Sequence, residues 1–412
     1  VRQRATFVLP GGGAHDSRTR SLAQGLAARG HQVTVIARRA GDVPDVETWP
    51  GGVEVRRVAS AAGRGGDGPS APAGSGFGRW LAEGRRIAGV ARRADQQARA
   101  AQAVDPGADL YQTEGFLALP VGLRLAAAAR APLVYDARDI YAESNNIVRL
   151  PVPARRLFER RERGWARRAA RLFTVNDACA DLLAARLGVA RPAVVRNCPP
   201  RWAIPTPRPD RLRETLGLTA DTPVVLHHGA LVPGRGIAQL AAAMRQPGLE
   251  RAHLVYLGWG TGEAEVAALA ADPAAGGRLH RLPPVPPEDL LPWVASADVV
   301  AVTIQPDTLN HRLSTPNKLW EALAAGVPVV ASDFPAMRQV VMDDPLGSLG
   351  AVCDPTDPPA IGAALAGLLA RPLAERDALR ARVHQAAADR WNWEHEFATV
   401  LREYGALTGR PW

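Results

Sequence analysis

Two doubly wound α/β domains are what this chain of 412 residues predicts, and three observations predict them. The length exceeds what one hydrophobic core supports. Strand-like and helix-like segments alternate in both halves, the order that builds parallel sheets with right-handed crossovers. Between the halves stands a proline-dense stretch, PPRWAIPTPRPD (199–210), with the composition of a linker.

The first half opens with the strand ATFVLP, the glycine-rich turn GGGAHDSRT, the amphipathic helix SLAQGLAARG ending at Gly30, and the strand HQVTVIAR. VEVRRVAS reads as a third strand. Residues 61–78 have loop composition, long for a compact domain, and such loops often cover binding sites. A helix is expected over 79–104. DLYQTE, PLVYDARD and RLFTVN read as short strands ending in polar residues, where open α/β sheets place ligands. CADLLAARLG is a helix and AVVRNC the last strand of this half.

The second half restarts the pattern. PVVLHHG, HLVYLG, RLHRLP, DVVAVTI and VPVVAS are strands, with helices GIAQLAAAMRQ, EAEVAALAA, PEDLLPWVAS and NKLWEALAA among them. Residues 374–407 form a long helical pattern broken near WNWEHEF. The expected division is 1–200, 201–380 and a helical tail 381–412 that crosses back to the first domain.

Composition bounds the function. Hydrophobic residues at 47% and charged residues at 22% describe a globular protein. Cys179, Cys198 and Cys353 form no CxxC pair and no disulfide framework, which points to a reducing cytoplasm. No run is apolar enough to span a bilayer, and no signal-peptide pattern stands at the start. The formal net charge of +9 admits an anionic substrate, an anionic membrane or nucleic acid. Nucleic acid lacks a recognisable binding motif. The arginines concentrate in RRLFERRERGWARRAARL (155–172), which reads either as a helix facing anionic lipid or as a solvated helix burying Leu157, Trp165 and Leu172.

Two stretches carry chemistry. In STPNKLWEALAAGVPVVAS, Thr315 suits a cap, Pro316 the first helical position and Gly326 the residue after the helix. Lys318 and Glu321 then stand one turn apart at the helix start, where unpaired N–H groups attract anions. Lys318 suits a phosphate and Glu321 sugar hydroxyls; the plainer reading is a surface ion pair. In HHGALVPGRGIAQL a strand ends at a glycine loop around Gly229, and Arg235 opens a helix, again a phosphate geometry. His227 and His228, adjacent on a strand, make no shared metal site. GGGAHD does not fit the dinucleotide fingerprint, although Gly12 and Gly13 permit close backbone approach to a ligand.

Taken together, HHGALVPGRGI, ASADVVAV and STPNKLWEALAAGVPVVASDFP resemble the nucleotide-sugar domain of the retaining glycosyltransferases of family four. GGGAHDSRTRSLAQGLAARGHQVTVIAR, VYDARDIYAES and RLFTVNDACADLLAARLGVARPAVVRNCPP follow that family's order in the first half. The resemblance implies two facing doubly wound Rossmann-like domains of GT-B type, acceptor in the first and donor in the second. It implies transfer from a nucleoside diphosphate sugar, UDP-sugar first among the donors, to a hydroxyl acceptor of unknown identity, with retained anomeric configuration. No metal and no cofactor is implied.

Carried onto this chain, the resemblance pairs Arg235 and Lys318 on the leaving diphosphate and puts Glu321 on the ribose. Gly12, Gly13, Gly229, Asn310, His311, Pro316 and Asn317 complete the donor site. Asp16 and Arg138 join Arg235 and Lys318 as catalytic candidates, and His15, Asp16, Asp136, Asp139 and Glu143 are acceptor candidates. Three positions depart from the pattern: Leu313 replaces its first glutamate, leaving Asn310 or His311 to supply that contact, Ala230 replaces an arginine, and Arg138 replaces a histidine. A cytoplasmic enzyme, peripheral at the inner membrane face, is the expectation. A nucleoside diphosphate sugar epimerase and a binding protein with decayed catalysis are the alternatives.

Overall fold

The computed structural model describes residues 2–13, 16–39, 43–58 and 96–412. The long loop at 61–78, the first part of the helix expected over 79–104 and His15 lie outside the described residues; 96–104 are helical. The chain divides into two compact units, Val1–Val195 with Phe397–Trp412, and Arg196–Glu396.

The first unit holds strands β1 (Arg4–Val8), β2 (Gln32–Arg38), β3 (Val46–Trp49), β4 (Val53–Val58), β5 (Leu110–Glu114), β6 (Leu133–Asp136), β7 (Arg171–Thr174) and β8 (Ala193–Val194). They form one sheet in the order β3-β4-β2-β1-β5-β6-β7-β8. Every pairing is parallel except β3 with β4. The central strands are buried along almost their whole length, because a parallel sheet is covered on both faces. The edge strand β3 escapes sequence reading for the opposite reason. Its four residues are mostly solvated and carry no apolar period. AVVRNC shrinks to two paired residues, Ala193 and Val194.

The second unit holds β9 (Val224–Ala230), β10 (His253–Trp259), β11 (Leu279–Leu282), β12 (Val299–Val302), β13 (Val329–Ser332) and β14 (Gly350–Cys353), ordered β11-β10-β9-β12-β13-β14 and parallel throughout. β14, four residues that start on Gly350 and are followed by Asp354, was not anticipated. The core runs from Val224–Leu226 through Val299–Val302 to Val329–Ala331, with Trp320 and Met337 from the covering helices. Both units are Rossmann-like.

The arginine-rich segment needs a correction. Its helix is Val152–Ala166, and Leu172 belongs to β7. The helix buries Glu162 and Ala166, while Leu157 is 41% exposed and Trp165 half-buried. The tail forms helices Leu373–Asp389 and Trp393–Thr408, interrupted at the aromatic stretch.

Candidate functional site

Each sheet has one place where the strand order reverses. In the first unit β1 feeds β2 on one side while β5 pairs on the other; in the second, β9 and β12 part in the same way. Ligands of open α/β sheets bind in the crevice at the carboxyl ends of such strands. Most of the sequence-predicted residues fall at these two places.

At the second switch point, the loop after β9 is fastened to the end of β12. Gln305 N donates to the Gly234 carbonyl at 2.9 Å, and Thr303 Oγ1 to the Arg235 carbonyl at 3.3 Å. Gly236, at φ +74°, caps the following helix Ile237–Ala243; a Cβ there would stand 2.3 Å from the Thr303 carbonyl. This close approach fixes where Arg235 leaves the backbone. Asn310 and His311 lie on the short helix Leu309–Leu313, capped by the Thr308 side chain. His311 packs against the same loop, since a Cβ on Gly234 would meet its ring at 2.9 Å. Gly229, at φ +93°, is the next-to-last residue of β9, with open space over its Cα.

The helix Asn317–Ala324 differs from expectation at its start. Pro316 is its N-cap residue, with extended φ −71° and ψ 154°, and no side chain caps the helix. Thr315 is buried instead. Asn317 Oδ1 accepts from Asn197 Nδ2 at 2.9 Å. At the other end Val327 N donates to Ala322 O and Gly326 N to Leu323 O, the paired bonds of a Schellman cap, with Gly326 at φ +63° as expected.

Lys318 and Glu321 form no surface pair. The Lys318 side chain is buried and its Nζ donates to His227 Nε2 at 2.9 Å. Glu321 Oε2 accepts from His228 Nε2 at 2.8 Å. Both histidines, 1% exposed at the end of β9, thus serve the same helix. Sequence reading weighed them only as metal ligands and missed this. Burial first, then the Arg235 charge, push the Lys318 pKa down to about 7, against the pull of Glu321. Burial, with Lys318 second, holds His227 well below the ordinary histidine value, so it stands neutral as an acceptor. The result is a buried amine near its titration point, with the Arg235 charge and the Glu321 carboxylate both close enough to act on it.

At the first switch point the charges are more closely matched. Gly12 gives its carbonyl to Arg57 Nε at 3.0 Å, and Gly13 takes φ +81°. Asp16 caps the helix Ser17–Ala28 by accepting from Thr19 N at 2.9 Å. Arg18, buried on that helix, binds both oxygens of Asp136 at 2.7 and 2.9 Å and also reaches the Val195 carbonyl. Arg138 is bonded to Asp16 at 2.9 Å, to Thr19 Oγ1 at 3.1 Å, to Asp136 at 3.4 Å and to Glu114. Burial would raise the Asp16 carboxyl, but Arg138 and the Thr19 N–H outweigh it and lower it. Glu114 goes the other way: burial raises its pKa, Arg138 opposes, and Asp136 and Asp16 add to the rise.

Three carboxylates therefore enclose Arg138. Asp139 is exposed. Glu143 is drawn elsewhere, to Arg155 at 2.5 Å and Arg186 at 2.8 Å. Arg18 and Glu114 were not anticipated. Glu114 was legible, as the carboxylate closing the buried strand β5; nothing in SRTRS marks Arg18 as an interior charge. Among the described residues no group of three or more His, Cys, Asp or Glu could hold a metal ion.

Two Rossmann-like units of this kind, the second with cations gathered at its switch point, define a GT-B fold. Residues 13–200 match the family described as "Glycosyl transferase 4-like domain", and residues 222–371 match "Glycosyl transferases group 1". The D-inositol 3-phosphate glycosyltransferase of Acidothermus cellulolyticus is 29% identical over 93% of this chain and 83% of its own length. The protein of that name from Xylanimonas cellulosilytica is 35% identical, over 48% of this chain and only 46% of its own length. The Anabaena protein HepE, solved in complex with UDP, superposes with a TM-score of 0.67 at 18% identity, covering 98% of this chain and all of that one. The chain belongs to the two-domain nucleotide-sugar-dependent glycosyltransferases of the family-four, GT-B superfamily.

Proposed function

We propose that the protein transfers a sugar from a nucleoside diphosphate sugar to an acceptor hydroxyl with retention of anomeric configuration. The observation that carries this is the buried Lys318 ammonium, held by neutral His227 and repelled by Arg235. A diphosphate relieves that arrangement, and it gains charge as the sugar–phosphate bond breaks, so both cations act most strongly in the transition state. Glu321, steadied by His228, accepts from the ribose hydroxyls. Asn310, His311, Pro316, Asn317 and Gly229 line the remainder, while Gly12 and Gly13 are the first unit's own candidates for close backbone approach to a ligand.

In the proposed step the acceptor oxygen bonds to the anomeric carbon on the face the phosphate leaves. The bond from that carbon to the phosphate oxygen breaks, and the acceptor proton passes to the departing oxygen. No protein nucleophile is required. Arg138 acts through its carboxylates rather than as a free cation, with Asp16 and Asp136 orienting the acceptor. UDP is the proposed nucleotide, on the strength of the UDP that HepE holds.

Contact with an anionic membrane is part of the proposal. On the helix Val152–Ala166, Arg156, Arg160 and Arg161 are exposed beside Val152 and Leu157. Among the described residues no helix is long and apolar enough to cross a membrane. Sedimentation with anionic but not neutral vesicles is expected; absence from both pellets overturns the membrane contact.

The decisive experiment incubates the protein with UDP-sugars and a hydroxyl acceptor panel and reads product and anomeric configuration by mass spectrometry and NMR. An α-linked product from an α-linked donor is expected. An inverted product, an epimer formed from donor alone, or tight donor binding with no transfer to any acceptor would overturn the reading.

A further inference from the structure

Among the described phenylalanine, tyrosine and tryptophan side chains one, Trp259, is exposed, at 57%. It is the last residue of β10, at the same carboxyl end of the sheet as His228 and Gly229. An indole left in water at the end of a paired strand forgoes a large apolar burial. The backbone around it is held closely. Leu231 N donates to the Trp259 carbonyl at 2.7 Å, and Gly260 N donates to Glu263 Oε1 at 3.0 Å. The flanking glycines permit this: a Cβ on Gly258 would lie 1.9 Å from the Gly229 carbonyl, and one on Gly260 2.3 Å from that of Leu231. The backbone is closely held while the aromatic surface is open.

Register places it relative to the donor residues. His228 pairs with Leu257, and Ala230 with Trp259. Side chains two apart on a strand share a face, and register partners on parallel neighbours share it too. Trp259 therefore lies on the His228 face, the face from which His228 holds Glu321, one strand over and two residues further along. Strand spacing and rise make that an offset of about 8 Å between the backbones of His228 and Trp259. A ribose held by its hydroxyls at Glu321 spans such an offset with its attached base.

We infer that Trp259 is the stacking platform for the nucleobase of the donor, on the far side of the ribose from the Lys318–Arg235 diphosphate site. This rests on the donor-site reading above. Stacking is tolerant of base identity, because every base presents a π-face. The contact supplies affinity for nucleoside diphosphates as a class and none for diphosphate alone.

The test measures UDP, GDP, ADP and inorganic pyrophosphate binding by calorimetry to the wild type, Trp259→Ala and Trp259→Phe. Alanine is expected to weaken the best-bound nucleoside diphosphate roughly 10- to 100-fold, phenylalanine to restore most of the loss, and pyrophosphate to bind all three equally. The wild-type indole emission should also fall on nucleotide addition by more than that of Trp259→Phe. Tight nucleotide binding by the wild type with Trp259→Ala within twofold of it would overturn the stacking alone. An equal loss for pyrophosphate would overturn it as well, since the damage would then be general to the site. Wild-type silence toward every nucleoside diphosphate would instead overturn the donor-site reading beneath it.

Discussion

Replacing Lys318 with methionine should make the second unit more stable while destroying the diphosphate site proposed above. The buried amine has its pKa pushed from 10.5 to about 7, by burial first and Arg235 second. In the unfolded chain the amine keeps its proton up to the ordinary value. Between pH 7 and 10.5 the unfolded state therefore binds the extra proton, and stability rises with pH across that window. Below pH 7 the cost of the buried charge is fully present. The difference between the two values corresponds to about 5 kcal/mol. Losing the bond to His227 returns about 1 kcal/mol of that, and relaxation of the site returns more. Methionine fills a similar volume with no charge. Urea unfolding at pH 6.5 should then show the mutant ahead by roughly 2–4 kcal/mol, with most of the gap closed at pH 9.5. A mutant less stable than the wild type at pH 6.5, or a gap that does not narrow with pH, would refute the reasoning. The same titration predicts that UDP binding takes up a proton, so that wild-type affinity weakens as pH rises above about 7.

Arg235→Ala and Lys318→Ala should each lower turnover by about two orders of magnitude, roughly 3 kcal/mol apiece; folded mutants that lose less than tenfold would count against the paired cations. Glu321→Gln should raise the donor KM with a modest loss in kcat, because ribose hydroxyls do not change during the reaction. A deoxyribose donor should cost the wild type affinity but cost that mutant little further, and strictly additive penalties would remove the ribose role. Asp136→Asn should destabilise the first unit by about 3–5 kcal/mol, since Arg18 would be left buried with no carboxylate, only the Asn amide oxygen and the Val195 carbonyl. Thermal melting checks this, and an unchanged Tm would show that Arg18 does not depend on the pair.

The alternation of strands and helices was legible because most of these segments are buried on one face or both, and burial writes apolar periodicity into the residues. It failed at β3 and β14, four-residue strands at the edges of their sheets, and ran long at β8, where only two residues pair. At the second switch point, Lys318, Glu321 and Arg235 were legible from helix starts after strands. Their partners were not. His227 and His228 become recognisable only when β9 brings them against a helix some 90 residues later, a pairing that no local pattern records. Pro316 was placed one position late, since its extended ψ opens the helix at Asn317 rather than inside it. Trp259 shows the limit from the other side. The predicted strand HLVYLG stops one residue before it, and nothing in the sequence marks that tryptophan as exposed.

The first unit is discontinuous in the chain, and this matters for how it is made. Its sheet and helices come from Val1–Val195, but its packing is completed by Phe397–Trp412. The Tyr404 hydroxyl is bonded to Gln112 on β5, its ring stacks on Phe173 of β7, and Phe397 closes over Gly25, where no Cβ would fit. During synthesis those residues leave the ribosome after the whole of Arg196–Glu396. The second unit, contiguous in the chain, has all of its residues available first, although the first unit began to emerge earlier. Until the last helix arrives, β5 and β7 lack their aromatic cover. The nascent first half thus has an interval of exposed apolar surface as long as the translation of its neighbour.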